Sequence, residues 1–153
     1  MARKPSFGTA NTVIVIDPAG VASASATQSS YITNTDFLDA TILLQLSIGA
    51  GTLGGQRAAF VYAYANAGGT EWPDGVAATA SAITLFNPTN LVRIATIFFS
   101  AQSQTRGKVI PSLAGALGNV PQQWGLVIEN NTGITFDTTS ANHKIVYQGQ
   151  AVT

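Results

Sequence analysis

The side chains able to do acid–base, nucleophilic or metal chemistry are few in this chain and lie far apart. It has one histidine, no cysteine, seven acidic and seven basic residues. His143 is the sole imidazole, so a transition-metal site would have too few ligands. Composition leaves a Ser-His-Asp triad open, although no Gly-x-Ser-x-Gly motif is present. We expect His143 to be a solvated residue at a strand start, and the protein to be no enzyme and to hold no metal or cofactor.

Two aspartates are close enough in sequence to suggest a catalytic pair. Glycoside hydrolysis needs two carboxylates that face one bond. On an extended segment, however, a spacing of three residues directs Asp36 and Asp39 to opposite sides. We therefore expect them to shape the turn before a long strand.

The loop Glu71-Trp72-Pro73-Asp74-Gly75 combines two carboxylates, an aromatic face and a tight turn. It could bind calcium or stack a sugar on Trp72. Calcium takes about six to eight oxygen ligands, which two carboxylates do not supply, and Pro-Asp-Gly is a favourable turn sequence. The alternative is that Trp72 packs over a sheet edge or against a neighbouring subunit, and in either case it is a candidate contact residue.

The glycines at 49, 51 and 54 match the Gly-x-Gly-x-x-Gly spacing of dinucleotide-binding loops. In that motif a helix follows, whereas here residues 58–65 place aromatic residues at every second position, which is typical of a strand. We expect residues 49–56 to be a flexible hairpin connection, and no nucleotide cofactor.

Composition limits the class of protein. The 153 residues fit one domain with a core of its own, and the net charge is zero. Without a global positive field we expect no nucleic-acid partner, and no stretch approaches the ~20 apolar residues of a membrane span. A near-neutral surface gives little repulsion between copies, which favours a component of an assembly. We expect the sequon Asn130-Asn131-Thr132 to be a turn.

Strand-like segments follow one another with turn signals between them. The clearest is 41–48, where Ile42, Leu44 and Leu46 alternate with polar residues and Leu43 is the exception. We expect it to form a hairpin with 57–66. We also expect 81–86 to pair with 91–100 across a turn at 87–90, with 91–100 as a central strand. Further strands are expected at 12–17, 106–111, 124–129, 134–137 and 143–150, and short helices could form only at 76–82 and 112–117.

This pattern predicts an all-β protein, an antiparallel sandwich of about eight strands in a single domain at 12–153. The side chains expected in its core are Ile42, Leu44, Leu46, Ile94, Phe98, Trp124, Val127 and Tyr147. Arg93 interrupts an apolar strand, and Glu129 is its expected partner because an unpaired buried charge is costly. Residues 18–30 are expected to be a surface loop.

Residues 1–11 lack apolar periodicity and are expected to form an extended arm that orders only on a partner. Arg3 and Lys4 make it locally basic, Pro5 stiffens it, and Phe7 offers an apolar anchor. These four residues are the candidate contacts of the arm.

The run of residues 121–133, which begins Pro121-Gln122-Gln123-Trp124, resembles a pattern in small structural proteins of tailed-bacteriophage virions. Residues 82–91 and 147–149 are similar to the same proteins. The resemblance implies a jelly-roll-like β-sandwich that decorates or cements the capsid, or sits on the tail. It implies no catalytic residues.

With this resemblance, we expect a virion protein, made in the host cytoplasm, that stabilises the phage head by binding the major capsid protein. Self-association, most simply into a homotrimer, is expected through the small-residue strand face of Ala59, Ala63 and Ala65. The alternative is a tail-associated or receptor-binding module that recognises host-surface glycan through Trp72 and tyrosine-rich loops. A sugar-active enzyme is the weaker third reading.

Overall fold

The computed structural model describes residues 4–66, 69–73, 75–85 and 91–152. Eleven strands are found in these ranges, with one α-helix and one short 3-10 helix. The strands are β1 (Pro5–Phe7), β2 (Thr12–Val13), β3 (Ser25–Gln28), β4 (Ile32–Thr33), β5 (Asp39–Ser47), β6 (Ala58–Asn66), β7 (Ser81–Ile83), β8 (Val92–Phe98), β9 (Thr105–Ile110), β10 (Gln123–Asn131) and β11 (Lys144–Val152), and the helix is α1 (Leu113–Leu117).

Two antiparallel sheets pack face to face as a sandwich. Sheet A has the strand order β1-β11-β5-β9, with β2 also paired to β11. Sheet B has the order β7-β3-β10-β6-β8, with β4 also paired to β10. If β4 and β7 are set aside and β1 and β2 are taken as one interrupted strand, the eight remaining strands run 1-8-3-6 in one sheet and 2-7-4-5 in the other. This is the jelly-roll topology, so the predicted fold class is confirmed.

The core lies between the two sheets. Each of the long strands contributes alternate side chains, such as Ile42, Leu44 and Leu46 from β5 and Trp124 and Leu126 from β10, all at 0% exposure. Tyr147 packs edge-on against Trp124, with ring centroids 5.5 Å apart. Of the eight predicted core residues, five are buried and two, Ile94 and Tyr147, are partly buried against the core.

Phe98 is the prediction of burial that is wrong, because its side chain is 67% exposed while that of Phe99 is 2% exposed. The pairing of β8 with β6 shifts register between Val61 and Tyr62. Such a bulge inserts an extra residue and exchanges the inward and outward sets on its two sides. A strict alternation from Ile94 therefore points to the wrong phenylalanine. Strand β8 is also an edge strand and not the central strand expected.

The predicted hairpins are wrong, although most of the strands are present. Strand β5 pairs with β11 and β9, while β6 lies in the other sheet between β10 and β8. Strand β7 pairs with β3 and not with β8, and the turn expected at 87–90 lies outside the described residues. In a jelly roll most connections cross from one sheet to the other, so neighbours in sequence are seldom neighbours in a sheet.

Residues 49–56 form one of these crossings and are held firmly. Gly49 N–H donates to Thr135 O at 3.0 Å, and Gly54 N–H donates to Thr132 O at 2.6 Å. A Cβ on Gly133, whose φ is +86°, would collide with the backbone of Gly54. The glycine spacing thus serves a close backbone contact, and the expectation of a flexible hairpin is wrong.

Other local expectations also need correction. Residues 18–30 contain β3, with Ala26, Thr27 and Gln28 buried, and are not only a surface loop. Residues 134–137 form a single bridge, Ile48 to Phe136, and no strand. The apolar run at 12–17 is a strand only over β2. Of the two possible helices, 112–117 contains α1 while 76–82 contains none.

Candidate functional site

The two aspartates that suggested a catalytic pair do not form one. Asp39 has a structural role, and Asp36 does not have the role in the turn that was expected for it. Asp39 is the first residue of β5, and its Oδ1 accepts from Ala40 N at 2.7 Å and from Ala114 N in α1 at 2.9 Å. Burial acts to raise the pKa of Asp39, but hydrogen bonds from Ser112, Ala114 and Ala40 outweigh it and leave the pKa below its usual value. The turn before β5 is shaped by Asn34, whose side chain bonds the N–H and C=O of Phe37. The role expected for Asp36 therefore belongs to Asn34.

His143 is buried and not solvated, with 9% exposure. Its Nδ1 accepts from Ser47 N–H at 3.3 Å, and its Nε2 lies 2.9 Å from Asp137 O. These contacts fix the tautomer with hydrogen on Nε2, because Nδ1 faces a donor and Nε2 faces an acceptor. The ring joins β5 to the segment before β11, and both nitrogens are occupied by backbone.

Among the described residues, no three His, Asp or Glu side chains lie close enough together to hold a metal ion. In the same part of the chain, no helix is long and apolar enough to span a membrane. Asn130 of the sequon lies in β10 and not in a turn. Its side chain is 0% exposed and bonds Val21 O, Ile134 O and Thr132, so it ties three segments together.

Trp72 belongs to an aromatic cluster on the outer face of sheet B. Its ring lies 5.5 Å from Tyr31, tilted by 32°, and 5.8 Å edge-on from Tyr64. Tyr64 crosses Gly125, where a Cβ would collide with its ring, and donates its hydroxyl to Ser29 O at 2.8 Å. Trp72 is half-buried and Tyr31 is 39% exposed, so one edge of the cluster faces solvent. Asp74 lies outside the described residues.

The same face continues into a polar group around Arg93. The Arg93 guanidinium lies over the ring of Phe60, 5.1 Å from its centroid, and the side chain is exposed. Glu129 instead accepts from Tyr62 Oη at 2.8 Å. Burial and this hydrogen bond raise the pKa of Tyr62 to about 12. The expected Arg93–Glu129 pair is therefore replaced by a cation–π contact and a phenol–carboxylate bond.

The N-terminal segment lies along the edge of sheet A. Pro5 pairs with Val152 and Phe7 with Gln150 in β11, and Gly8 N–H donates to Gly149 O at 2.9 Å. The expectation that this segment has no order without a partner is wrong for residues 5–8. Lys4 and Pro5 are exposed, Phe7 is 60% exposed, and Arg3 lies outside the described residues.

The outer face of sheet A carries an apolar row that the sequence analysis missed. The cross-strand pairs Val13–Val146, Val146–Leu43 and Leu43–Val109 run in register across β2, β11, β5 and β9. Val13 is 68% and Val109 54% exposed. The signal was the exception in β5, because an apolar Leu43 on an otherwise polar face marks an apolar spot facing outward. We call this set the sheet A row.

The strand face expected to join copies is not available. Ala59 and Ala63 are at most 1% exposed and belong to the core between the sheets, while Ala65 alone of the three is exposed. The aromatic residues of β6 face outward instead.

No protein-family model matches the chain, and no curated protein matches it.

Proposed function

We propose that this protein is a virion structural protein, a capsid decoration or cement subunit that stabilises a phage head by binding coat proteins. The observation that carries the proposal is the sheet A row. Exposed apolar side chains grouped on one face of a sheet are a feature of contact surfaces. Val13 and Val109 protrude at the two ends of the row, while Leu43 between them is half-buried and Val146 is only 5% exposed.

The polar surroundings of the row support the same role. On the outer face of β11 and β5 the neighbouring side chains include Gln148, Thr41 and Gln45, which are uncharged. Burying such amides and hydroxyls costs less than burying ions. Lys144, which lies opposite Gln45 on the same face, is exposed, and its long side chain can keep the ammonium group in water at the rim of a contact. Phe7 extends the apolar surface at the edge of the sheet.

The jelly-roll fold is compatible with this role but does not select it, because the architecture occurs in capsid proteins, lectin domains and cupins alike. The proposed partners are the major capsid protein and further copies of the chain, most simply in a trimer, and the proposed location is the virion after synthesis in the host cytoplasm. Neither nucleic acid nor a membrane is proposed as a partner. Sedimentation of the isolated protein at micromolar concentration tests the trimer, and a monomer there would contradict preassembly.

A second function, a tail-associated module that recognises host-surface glycan, is favoured by the Tyr31–Trp72 pair. Aromatic faces at solvent are suited to stack on sugar rings, and this pair has one open edge. The substitution Trp72→Ala would then abolish binding to host cells and leave attachment to the particle unchanged.

Electron cryomicroscopy of the particle that carries the protein separates the two functions. Many copies distributed over the capsid surface, with the outer face of sheet A against the coat protein, is the result expected. A few copies confined to the tail would favour the glycan-binding module. Absence from purified particles would refute both.

A further inference from the structure

Strand β9 is the free edge of sheet A. Ile48 N–H donates to Gln104 O at 3.0 Å, and the pairing of β5 with β9 continues without a register shift. Backbone groups alternate in direction along an antiparallel strand, so those of Arg106 and Lys108 point to β5. Those of Thr105, Gly107 and Val109 point away from it, and among the described residues no strand pairs with that side.

The unpaired side of β9 is exposed and basic. All five residues from Thr105 to Val109 are exposed. Arg106 reaches only the Ser100 hydroxyl, at 3.1 Å, and within the described part of the chain neither Arg106 nor Lys108 forms an ion pair with a carboxylate. The neighbouring edge strand β8 adds the exposed Arg93, and no acidic residue occurs in either strand.

The glycine in the middle of β9 has no explanation within the chain. A Cβ on Gly107 would lie 3.5 Å from Leu44 O, an ordinary contact, and its φ is not positive. A glycine inside a strand lowers its stability and often marks a place where another backbone approaches closely. At Gly107 that backbone would have to come from outside, along the unpaired edge.

We propose that β9 is a docking edge for an extended, acidic segment of another protein, which pairs with the outward backbone groups of Thr105, Gly107 and Val109. Successive side chains on one face of a strand are about 6.6–6.8 Å apart, so carboxylates at every second residue of the segment would face Arg106 and Lys108. Main-chain bonds supply the affinity and the charges select the segment.

A second copy of this chain does not fit the same edge. Antiparallel pairing of two β9 strands about Gly107 would place Arg106 of one copy opposite Lys108 of the other, and like charges directly opposite are unfavourable. The partner is therefore a different, acidic strand. This inference deepens the proposed function by describing the partner segment, and it can be tested in solution without a particle.

The probe is a blocked ten-residue peptide in which glutamate alternates with threonine, with the lysine–threonine peptide as its control. Amide chemical shifts and hydrogen exchange of the full-length protein are measured during titration. We expect shifts centred on β9 and at least tenfold slower exchange at Gly107 and Val109 with the glutamate peptide, and no effect from the lysine peptide. No change at β9 at millimolar peptide, or equal binding of both peptides, would overturn the proposal.

Two variants test the pairing and the charge separately. Gly107→Pro removes an N–H that β5 does not use, and we expect it to abolish binding. The double substitution R106E/K108E should reverse the preference toward the lysine peptide, so the proposal stays testable even if the proline variant does not fold. Lys144→Gln, on the outer face of β11, is the matched control and should leave binding unchanged. If the charge-reversed protein still prefers glutamate, or the folded proline variant still binds, β9 is not the docking edge. If the glutamate peptide binds β9 but the protein is absent from purified particles, the proposed function is refuted and the docking edge is not.

Discussion

Gly133 is a position where the backbone, and not the side chain, decides which residue can be present. Its φ of +86° lies in the left-handed region, and its Cα faces the backbone of Gly54 across the connection between the sheets. Both conditions exclude a Cβ, so two constraints act on the same atom. Gly55 is adjacent to that contact but has open space around it.

We expect Gly133→Ala to lower the free energy of unfolding by about 2–4 kcal/mol, from left-handed strain and overpacking together. Gly55→Ala is the control and should change it by less than about 0.5 kcal/mol. Urea unfolding measures both. Equal effects of the two substitutions would show that the Gly54–Gly133 contact does not hold the crossing.

Asp39 links stability in acid to the hydrogen bonds that its carboxylate accepts from Ala40 and from Ala114 in α1. Its folded-state pKa is lower than in the unfolded chain, so ionised Asp39 stabilises the protein above the unfolded pKa. That contribution is lost as the pH falls from about 4 through the folded pKa. We expect Asp39→Asn to cost about 1 kcal/mol at pH 7, and the difference from the native protein to shrink as the pH falls below the folded pKa of Asp39. Urea unfolding of both proteins from pH 7 into the acid range tests this, and a difference independent of pH would contradict a stabilising role of the ionised carboxylate.

At the scale of the element, the sequence predicts most strands but not their partners. The alternation in β5 and the apolar runs of β6, β10 and β11 are strong local signals, because each strand buries one face. Pairing depends on which sheet a strand enters, and crossings between sheets have no local signature. The bulge in β8 also has no signature in the sequence, and for that reason the prediction that Phe98 is buried is wrong.

The bulge makes a direct prediction about adjacent phenylalanines. Phe99→Ala removes a ring that is 2% exposed and should lower the free energy of unfolding by about 3–5 kcal/mol. Phe98→Ala should change it by less than about 0.5 kcal/mol because the side chain is 67% exposed. Thermal or urea unfolding distinguishes the two variants. A larger loss of stability for Phe98→Ala than for Phe99→Ala would show that the alternation in β8 is unbroken and that Phe98 faces the core.

Strand β1 is a second element that local sequence does not reveal. Residues 5–8 make main-chain bonds to β11, and Gln148 Nε2 donates to Gly8 O at 3.0 Å. Deleting residues 1–8 should therefore lower stability by about 2 kcal/mol, a few hydrogen bonds at about 0.5–1.5 kcal/mol each. For a chain of this length that corresponds to roughly 4–8 °C in melting temperature. An unchanged melting temperature would mean that β1 is only loosely held.

At the scale of the whole molecule, the candidate sites divide between the two outer faces. The sheet A row was hidden from sequence analysis because its members come from four separate strands, although Leu43 signalled it. Only part of the aromatic cluster could be predicted from the sequence. Trp72 was a candidate contact residue, but Tyr31 is distant from it in sequence and contacts it only in the folded protein. Jelly-roll topology brings both sets together, and a single sequence carries no pattern that would do so.

The most direct measurement of the proposed contact role is reconstitution. Phage particles that lack this protein are mixed with the purified chain, and both the bound copies and the temperature of genome release are measured. The account predicts saturable binding and a higher release temperature, with both effects lost in Val13→Asp and retained in Val15→Asp, an equally exposed valine outside the row. Particles that neither bind the protein nor gain stability would contradict it.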